Sequence, residues 1–100
     1  MNKYQFDWDP EKNLENIKKH GISFESSIDI WRNNTIEIEG VAYFKGEERK
    51  GCVGLIDGKV YLAIWTFREG KIRIISVRRA RKNEEKRYYQ KELQECSGNG

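Results

Sequence analysis

Tyr4, Phe6 and Trp8 alternate with polar residues, the two-residue repeat of a short half-buried strand. Asp9-Pro10 follows as a helix start: the carboxylate can accept orphan N–H groups, and proline suits the first helical position. Leu14, Ile17 and Gly21 keep helical spacing on one face, and Gly21 can take the left-handed conformation that ends the helix. Ser23 opens a second short helix with Phe24, Ile28 and Trp31 on one side, and Asn33-Asn34 stops it.

Beyond Asn34 the period changes to that of strands. Thr35 to Phe44 carries Ile36, Ile38, Val41, Tyr43 and Phe44, broken at Gly40. Lys45 to Lys50 reads as a charged turn and Gly51 to Ile56 as a strand. Asp57-Gly58 is a strong two-residue hairpin signal, and Glu69-Gly70 a second tight turn. Between them Lys59 to Phe67 is apolar on both faces and predicts a central strand; Lys71 to Arg79 is the last strand. Asn83 to about Glu95 predicts a charged helix with Tyr88, Tyr89 and Leu93 as its apolar members, one tyrosine packed and the other exposed. Ser97 to Gly100 should fray. Two N-terminal helices, an antiparallel meander and one C-terminal helix make an α+β fold.

Composition narrows the class. One hundred residues fit a single domain spanning 1–100, and 37% hydrophobic residues can build one modest core. No apolar run approaches the roughly 18 residues of a membrane span, and no apolar signal region follows a basic start, so the expected place is the cytoplasm. Cys52 and Cys96 are far apart and there is one histidine, so neither a metal nor another cofactor is expected, and the cysteines read as free thiols. Charge changes the picture most. Residues 68–91 hold ten Lys/Arg against three Glu, a net of +7, while the rest of the chain is net −4. Such a concentration of cations attracts polyanions; a solvated basic helix is the plainer alternative.

A two-residue turn at Glu69-Gly70 sets Arg68 opposite Lys71, Thr66 opposite Arg73, Ile64 opposite Ile75 and Leu62 opposite Val77. One sheet face then carries Thr66, Arg68, Lys71, Arg73 and Arg79. The other carries Trp65, Phe67, Ile72 and Ile74, then Ser76 and Arg78, and forms the main core beneath the N-terminal helices. A slip of one residue inverts the assignment. Arginines on rigid strands suit a phosphodiester, since guanidinium donates paired hydrogen bonds and keeps its charge. Metal-free RNA cleavage also needs a group to take the 2′-hydroxyl proton and one to protonate the leaving 5′-oxygen. Tyrosine, histidine or glutamate can do either. His20 reads as a helix C-terminal cap favoured by the dipole, or as a general base. Basic sheet faces also bind RNA without cutting it.

Phe6-x-Trp8-Asp9, then Lys12, Asn16 and Lys19-His20-Gly21-Ile22-x-Phe24, resembles the opening of the BrnT toxin family. Gly46-Glu47-Glu48-Arg49 and Arg73-Ile74-Ile75-Ser76-x-Arg78 with Ala80 agree, so the match runs from about Phe6 to Tyr89. The resemblance implies a RelE/ParE-like fold and an endoribonuclease toxin that arrests growth by cutting RNA and inhibiting translation. It implies a ribbon-helix-helix antitoxin of the BrnA type in a hetero-oligomer, which meets operator DNA only as that complex and represses its own operon. Set on the family pattern, Arg49, Arg68, Arg73, Arg78, His20 and Tyr88 are the candidate catalytic residues. Thr66, Lys71, Ser76, Arg79, Arg81 and Lys82 are the candidate RNA contacts. The chain departs from the family at Arg81, usually threonine, which moves the expected helix start towards Asn83, and at Glu85, often arginine. Two other functions fit the charge pattern: a non-catalytic toxin that blocks a protein target through a ParE-like basic surface, and a nucleic-acid-binding regulator.

Overall fold

The computed structural model describes residues 4–32, 35–44 and 47–98, without the side chains of 38–44 and 92–98. Strand β1 (Phe6–Trp8) is followed by helices α1 (Pro10–His20), α2 (Phe24–Ser27) and α3 (Asp29–Arg32). Strands β2 (Ile36–Phe44), β3 (Glu47–Ile56), β4 (Lys59–Arg68) and β5 (Lys71–Arg79) then lead to α4 (Lys82–Gly98). The five strands lie in the order β1-β5-β4-β3-β2. Strands β2 to β5 form the expected antiparallel meander, whereas β1 joins β5 in parallel, pairing Phe6, Asp7 and Trp8 with Ile72, Arg73 and Ile74.

Local chemistry sets the ends of α1. Asp9 accepts the Glu11 N–H at 2.9 Å with Pro10 behind it, and Gly21, at φ 71°, donates to the Ile17 carbonyl at 2.8 Å. The apolar spacing on α1 does not mark its buried face: Leu14 is 61% and Ile17 40% exposed. The helix docks through polar residues instead. Asn16 is buried, donating to the Ile22 carbonyl at 3.0 Å and accepting the Val77 N–H at 3.1 Å, beyond the end of the β1–β5 ladder. Asn13 accepts the Phe24 N–H at 2.8 Å. These bonds satisfy backbone groups that would otherwise be buried unpaired. The helix expected from Ser23 is two short segments that part at Ile28, with Ser23 accepting the Ser26 N–H. Its expected stop, Asn33-Asn34, lies outside the described residues.

Both hairpins turn where the sequence marks them. Asp57 and Gly58 have φ of 54° and 79°, and Glu69 and Gly70 55° and 78°. Positive φ at both central residues is the turn that matches the strand twist. The segment Glu47–Lys50, expected in a turn, is the first part of β3, while Lys45 and Gly46 lie outside the described residues. Helix α4 starts at Lys82, one residue earlier than expected, and is helical through Gly98; Asn99 and Gly100 are not described.

A register shift between β4 and β5 reorganises the sheet faces. Trp65 pairs with Ile74, but Ile64 pairs with Ser76, so Ile75 is an extra residue. Ala63 then faces Val77, Leu62 faces Arg78, and Tyr61 faces Arg79. Under α1–α3 one face packs Phe24, Ile30, Cys52, Ala63, Trp65, Ile72, Ile74 and Val77. Under α4 the other face packs Val53, Val60 and Leu62 against the fully buried Tyr88.

Candidate active site

The bulge at Ile75 corrects the expected distribution of cations. Because one residue is added to β5, Ser76 and Arg78 move to the face of Thr66, Arg68, Lys71 and Arg73, and Arg79 moves to the opposite face. There the Arg79 guanidinium lies 5.6 Å from the Tyr61 ring centre. Strand β3 adds Arg49 to the first face, on the alternation that also points Val53 under α4. Helix α4 covers the part of this face over Val53, Val60 and Leu62. Towards the Glu69-Gly70 turn lie Arg49, Arg68, Lys71 and Arg73, with Arg78 at the junction with α4.

Three of these arginines hold carboxylates, of which Glu47 is one that the charge pattern offered as a partner and Asp7 and Glu84 are not. Arg73 Nη1 donates to Asp7 Oδ2 at 2.6 Å, a contact set by the parallel pairing of β1. Arg68 Nη2 donates to both Glu47 oxygens, at 2.9 and 3.3 Å. Arg78 meets Glu84 in a two-pronged pair, with both bonds at 2.9 Å, and Glu84 Oε1 also accepts the Arg81 N–H at 2.7 Å. Hydrogen bonding from Arg78 holds the Glu84 carboxyl below its usual range despite partial burial, and the same bond raises Arg78. Arg81 stands just before α4, and Glu84, three residues on, closes back onto it by accepting its N–H, so the helix start is capped without a side-chain hydroxyl at Arg81. Glu85 lies in the first turn of α4, where the helix dipole favours negative charge.

Several candidates are corrected by their positions. Thr66 is buried and its hydroxyl donates to the Glu48 carbonyl at 2.8 Å, so it ties β4 to β3 instead of facing a ligand. Tyr88 is the packed tyrosine, buried between α4 and the sheet against Val53, Val60 and Leu62, and Tyr89 is the exposed one. His20 ends α1 beside Gly21, which lines a cavity of about 370 Å³ with Asp57, Lys59 and Tyr61. That cavity is at the β3–β4 hairpin and beneath the other sheet face, so His20 does not join the arginines. Lys71, Arg81 and Lys82 are exposed and Ser76 half-buried. Among the described residues, no group of three or more His, Cys, Asp or Glu could hold a metal ion.

Two guanidinium groups of this surface are held at the turn end by carboxylates of neighbouring strands, and guanidinium can donate paired hydrogen bonds to an oxyanion. The family profile of the ribonuclease toxin BrnT of type II toxin–antitoxin systems matches residues 8–84. The chain belongs to this family. Its structure is similar to the crystal structure of the Brucella abortus ribonuclease toxin BrnT, with 22% identity over 80% of this chain and 100% of that chain and a TM-score of 0.64. That likeness is one of fold: a mixed α+β domain around the five-stranded sheet. No curated protein matches in sequence. As a member of a type II family of BrnT ribonuclease toxins, the chain has an antitoxin as its partner. No helix among the described residues is long and apolar enough to cross a membrane.

Proposed function

We propose that this BrnT-family chain is a metal-independent endoribonuclease whose active surface is the sheet face bearing Arg49, Arg68, Lys71 and Arg73. The observation that carries the reading is Arg73. It stands on β5, held between β1 and β4, commits only Nη1 to Asp7, and is partly exposed, so its remaining N–H donors can take two phosphate oxygens. In cleavage the phosphorane gathers charge on those oxygens, and fixed guanidinium donors stabilise it without moving. Lys71, across the turn from Arg68, adds a cation to the same face. Arg78 has both terminal nitrogens on Glu84 and serves first to hold α4 at the edge of this surface.

Family membership supports a wider reading. The chain arrests growth in the cytoplasm by cutting RNA and inhibiting translation, on a fold of the RelE/ParE type. Its antitoxin is a ribbon-helix-helix protein of the BrnA type, and the hetero-oligomer they form represses their operon. A net of +7 over residues 68–91 favours an acidic covering segment on that antitoxin, with salt-sensitive association. The test is a labelled single-stranded RNA incubated in EDTA with wild type or Arg73→Ala. Cleavage by wild type with a loss of about 100-fold or more in Arg73→Ala supports the reading. Equal cleavage by both moves the site elsewhere, and none by either, also in a translation extract, leaves the protein-blocking toxin.

A further inference from the structure

The ribonuclease reading leaves the group that takes the 2′-hydroxyl proton unassigned: His20 ends α1 on the opposite side of the sheet, and Tyr88 is buried against Val53, Val60 and Leu62. Among the described residues, three carboxylates bond arginines of this face, and their hydrogen bonds separate them. Glu84 has both oxygens occupied by Arg78, one of them shared with the Arg81 N–H. Glu47 has both oxygens on Arg68 Nη2. Asp7 accepts from Arg73 through Oδ2 alone, and Oδ1 accepts no hydrogen bond among the described residues. Its side chain is 45% exposed, against 22% for Arg73. The parallel ladder fixes it: Asp7 pairs with Arg73 between Phe6–Ile72 and Trp8–Ile74, and the Ile72 N–H donates to the Gln5 carbonyl at 2.9 Å. Asp7 is thus a rigidly held carboxylate with an open oxygen, one hydrogen bond away from the guanidinium that has donors to spare.

We propose that Asp7 is the catalytic general base of RNA cleavage, acting on the phosphodiester that Arg73 binds; this rests on the ribonuclease reading above. Asp7 Oδ1 takes the proton of the 2′-hydroxyl. The freed 2′-oxygen attacks phosphorus, the O2′–P bond forms and the P–O5′ bond breaks. The leaving 5′-oxygen takes a proton from solvent water, and Asp7 returns its own proton to solvent. The products are a 2′,3′-cyclic phosphate and a 5′-hydroxyl, with nothing oxidised or reduced. The adjacency of Asp7 and Arg73 places base and phosphate clamp at neighbouring atoms of one nucleotide, the arrangement that in-line attack by the 2′-oxygen requires.

The experiment compares wild type, Asp7→Asn and Asp7→Glu for cleavage of a labelled RNA in EDTA across pH, with binding of the matching 2′-deoxy oligonucleotide measured alongside. Asparagine keeps an oxygen for Arg73 but cannot accept the proton. Cleavage in Asp7→Asn should fall by about 100-fold or more, while oligonucleotide affinity stays within about twofold. The acid limb of the rate profile should vanish in Asp7→Asn and persist in Asp7→Glu, which should recover at least about tenfold of the activity. Arg73, the charged group bonded to Asp7, and Lys71 on the same face of β5 are unchanged in every variant, so a limb that changes with residue 7 reports its carboxylate. Asp7→Asn keeping more than about a tenth of wild-type activity, or an unchanged acid limb, overturns the assignment while leaving the ribonuclease reading intact. No cleavage by wild type overturns both. A loss in Asp7→Asn matched by an equal loss of oligonucleotide binding also overturns it, since Asp7 would then only position Arg73.

Discussion

Replacing Glu84 by glutamine tests how α4 is fixed beside the arginine face. Glutamine keeps an oxygen for the Arg81 N–H but removes the charge that two Arg78 nitrogens share at 2.9 Å. Exposed ion pairs contribute about 0.2–1 kcal/mol, whereas stranding one partner of a buried pair costs about 3–5 kcal/mol. With Arg78 25% and Glu84 16% exposed, the pair lies between these limits, and screening by solvent brings the expected loss to about 2 kcal/mol. For a domain of this size that lowers Tm by about 8–16 °C. Urea unfolding of Glu84→Gln, Arg78→Met and the double variant should give a coupling energy of about 1–2 kcal/mol. The sign with pH is fixed as well. Glu84 titrates lower in the folded protein than in the unfolded chain, so its contribution is complete above the ordinary carboxylate range and is lost as pH falls through the folded value. The gap between wild type and Glu84→Gln should therefore close on acidification. A coupling below about 0.5 kcal/mol at neutral pH, or a gap that widens in acid, would mean that the Arg78–Glu84 pair does not hold α4.

Other consequences can be measured with similar economy. Asn16→Ala leaves the Val77 N–H and the Ile22 carbonyl buried without their partner and should cost about 2–4 kcal/mol in urea unfolding, although Asn16 offers no apolar packing. Gly54→Ala puts a Cβ 3.1 Å from the Ile30 backbone oxygen and 3.0 Å from its Cγ2, so α3 must shift; a loss of about 1–3 kcal/mol is expected by the same assay. Burial pushes the Cys52 thiol up to about 12, with the dipole of the buried Trp65 N–H partly opposing the rise. Iodoacetamide at pH 8 should leave the Cys52 peptide unmodified in the native protein and label it in urea, as read by mass spectrometry.

Much of the frame was legible in the residues because short-range chemistry determines it. Asp9-Pro10, Gly21 and Ser23 act within one turn of themselves, and Asp57-Gly58 and Glu69-Gly70 fix both hairpins. Features set by distant partners were not legible. Ile74-Ile75 gives no local sign that one of two adjacent isoleucines is an extra residue, yet this bulge decides that Arg78 and Ser76, not Arg79, share the face of Arg73. The apolar pair Leu14 and Ile17 pointed to the wrong face of α1 because Asn13 and Asn16 dock it through backbone hydrogen bonds, which leave no hydrophobic trace. Glu47 to Lys50 read as a turn because charge dominates it; it pairs as a strand, with the Lys50 ammonium over the Trp65 and Phe67 rings and Glu47 on Arg68. In the site, the basic residues were found by type alone, while Asp7 was passed over because its importance lies in the parallel pairing of β1 with β5.

The central claim is that RNA meets the face of Arg49, Arg68, Lys71 and Arg73. A two-dimensional amide NMR titration of the protein with a 2′-deoxy oligonucleotide, which binds but cannot be cut, tests it most directly. Shifts should concentrate at Asp7, Arg49, Arg68, Lys71 and Arg73, with His20, Lys59, Tyr61 and Arg79 unmoved. Shifts centred on His20, Lys59 and Tyr61 would place the nucleic acid on the opposite side of the sheet and contradict the claim.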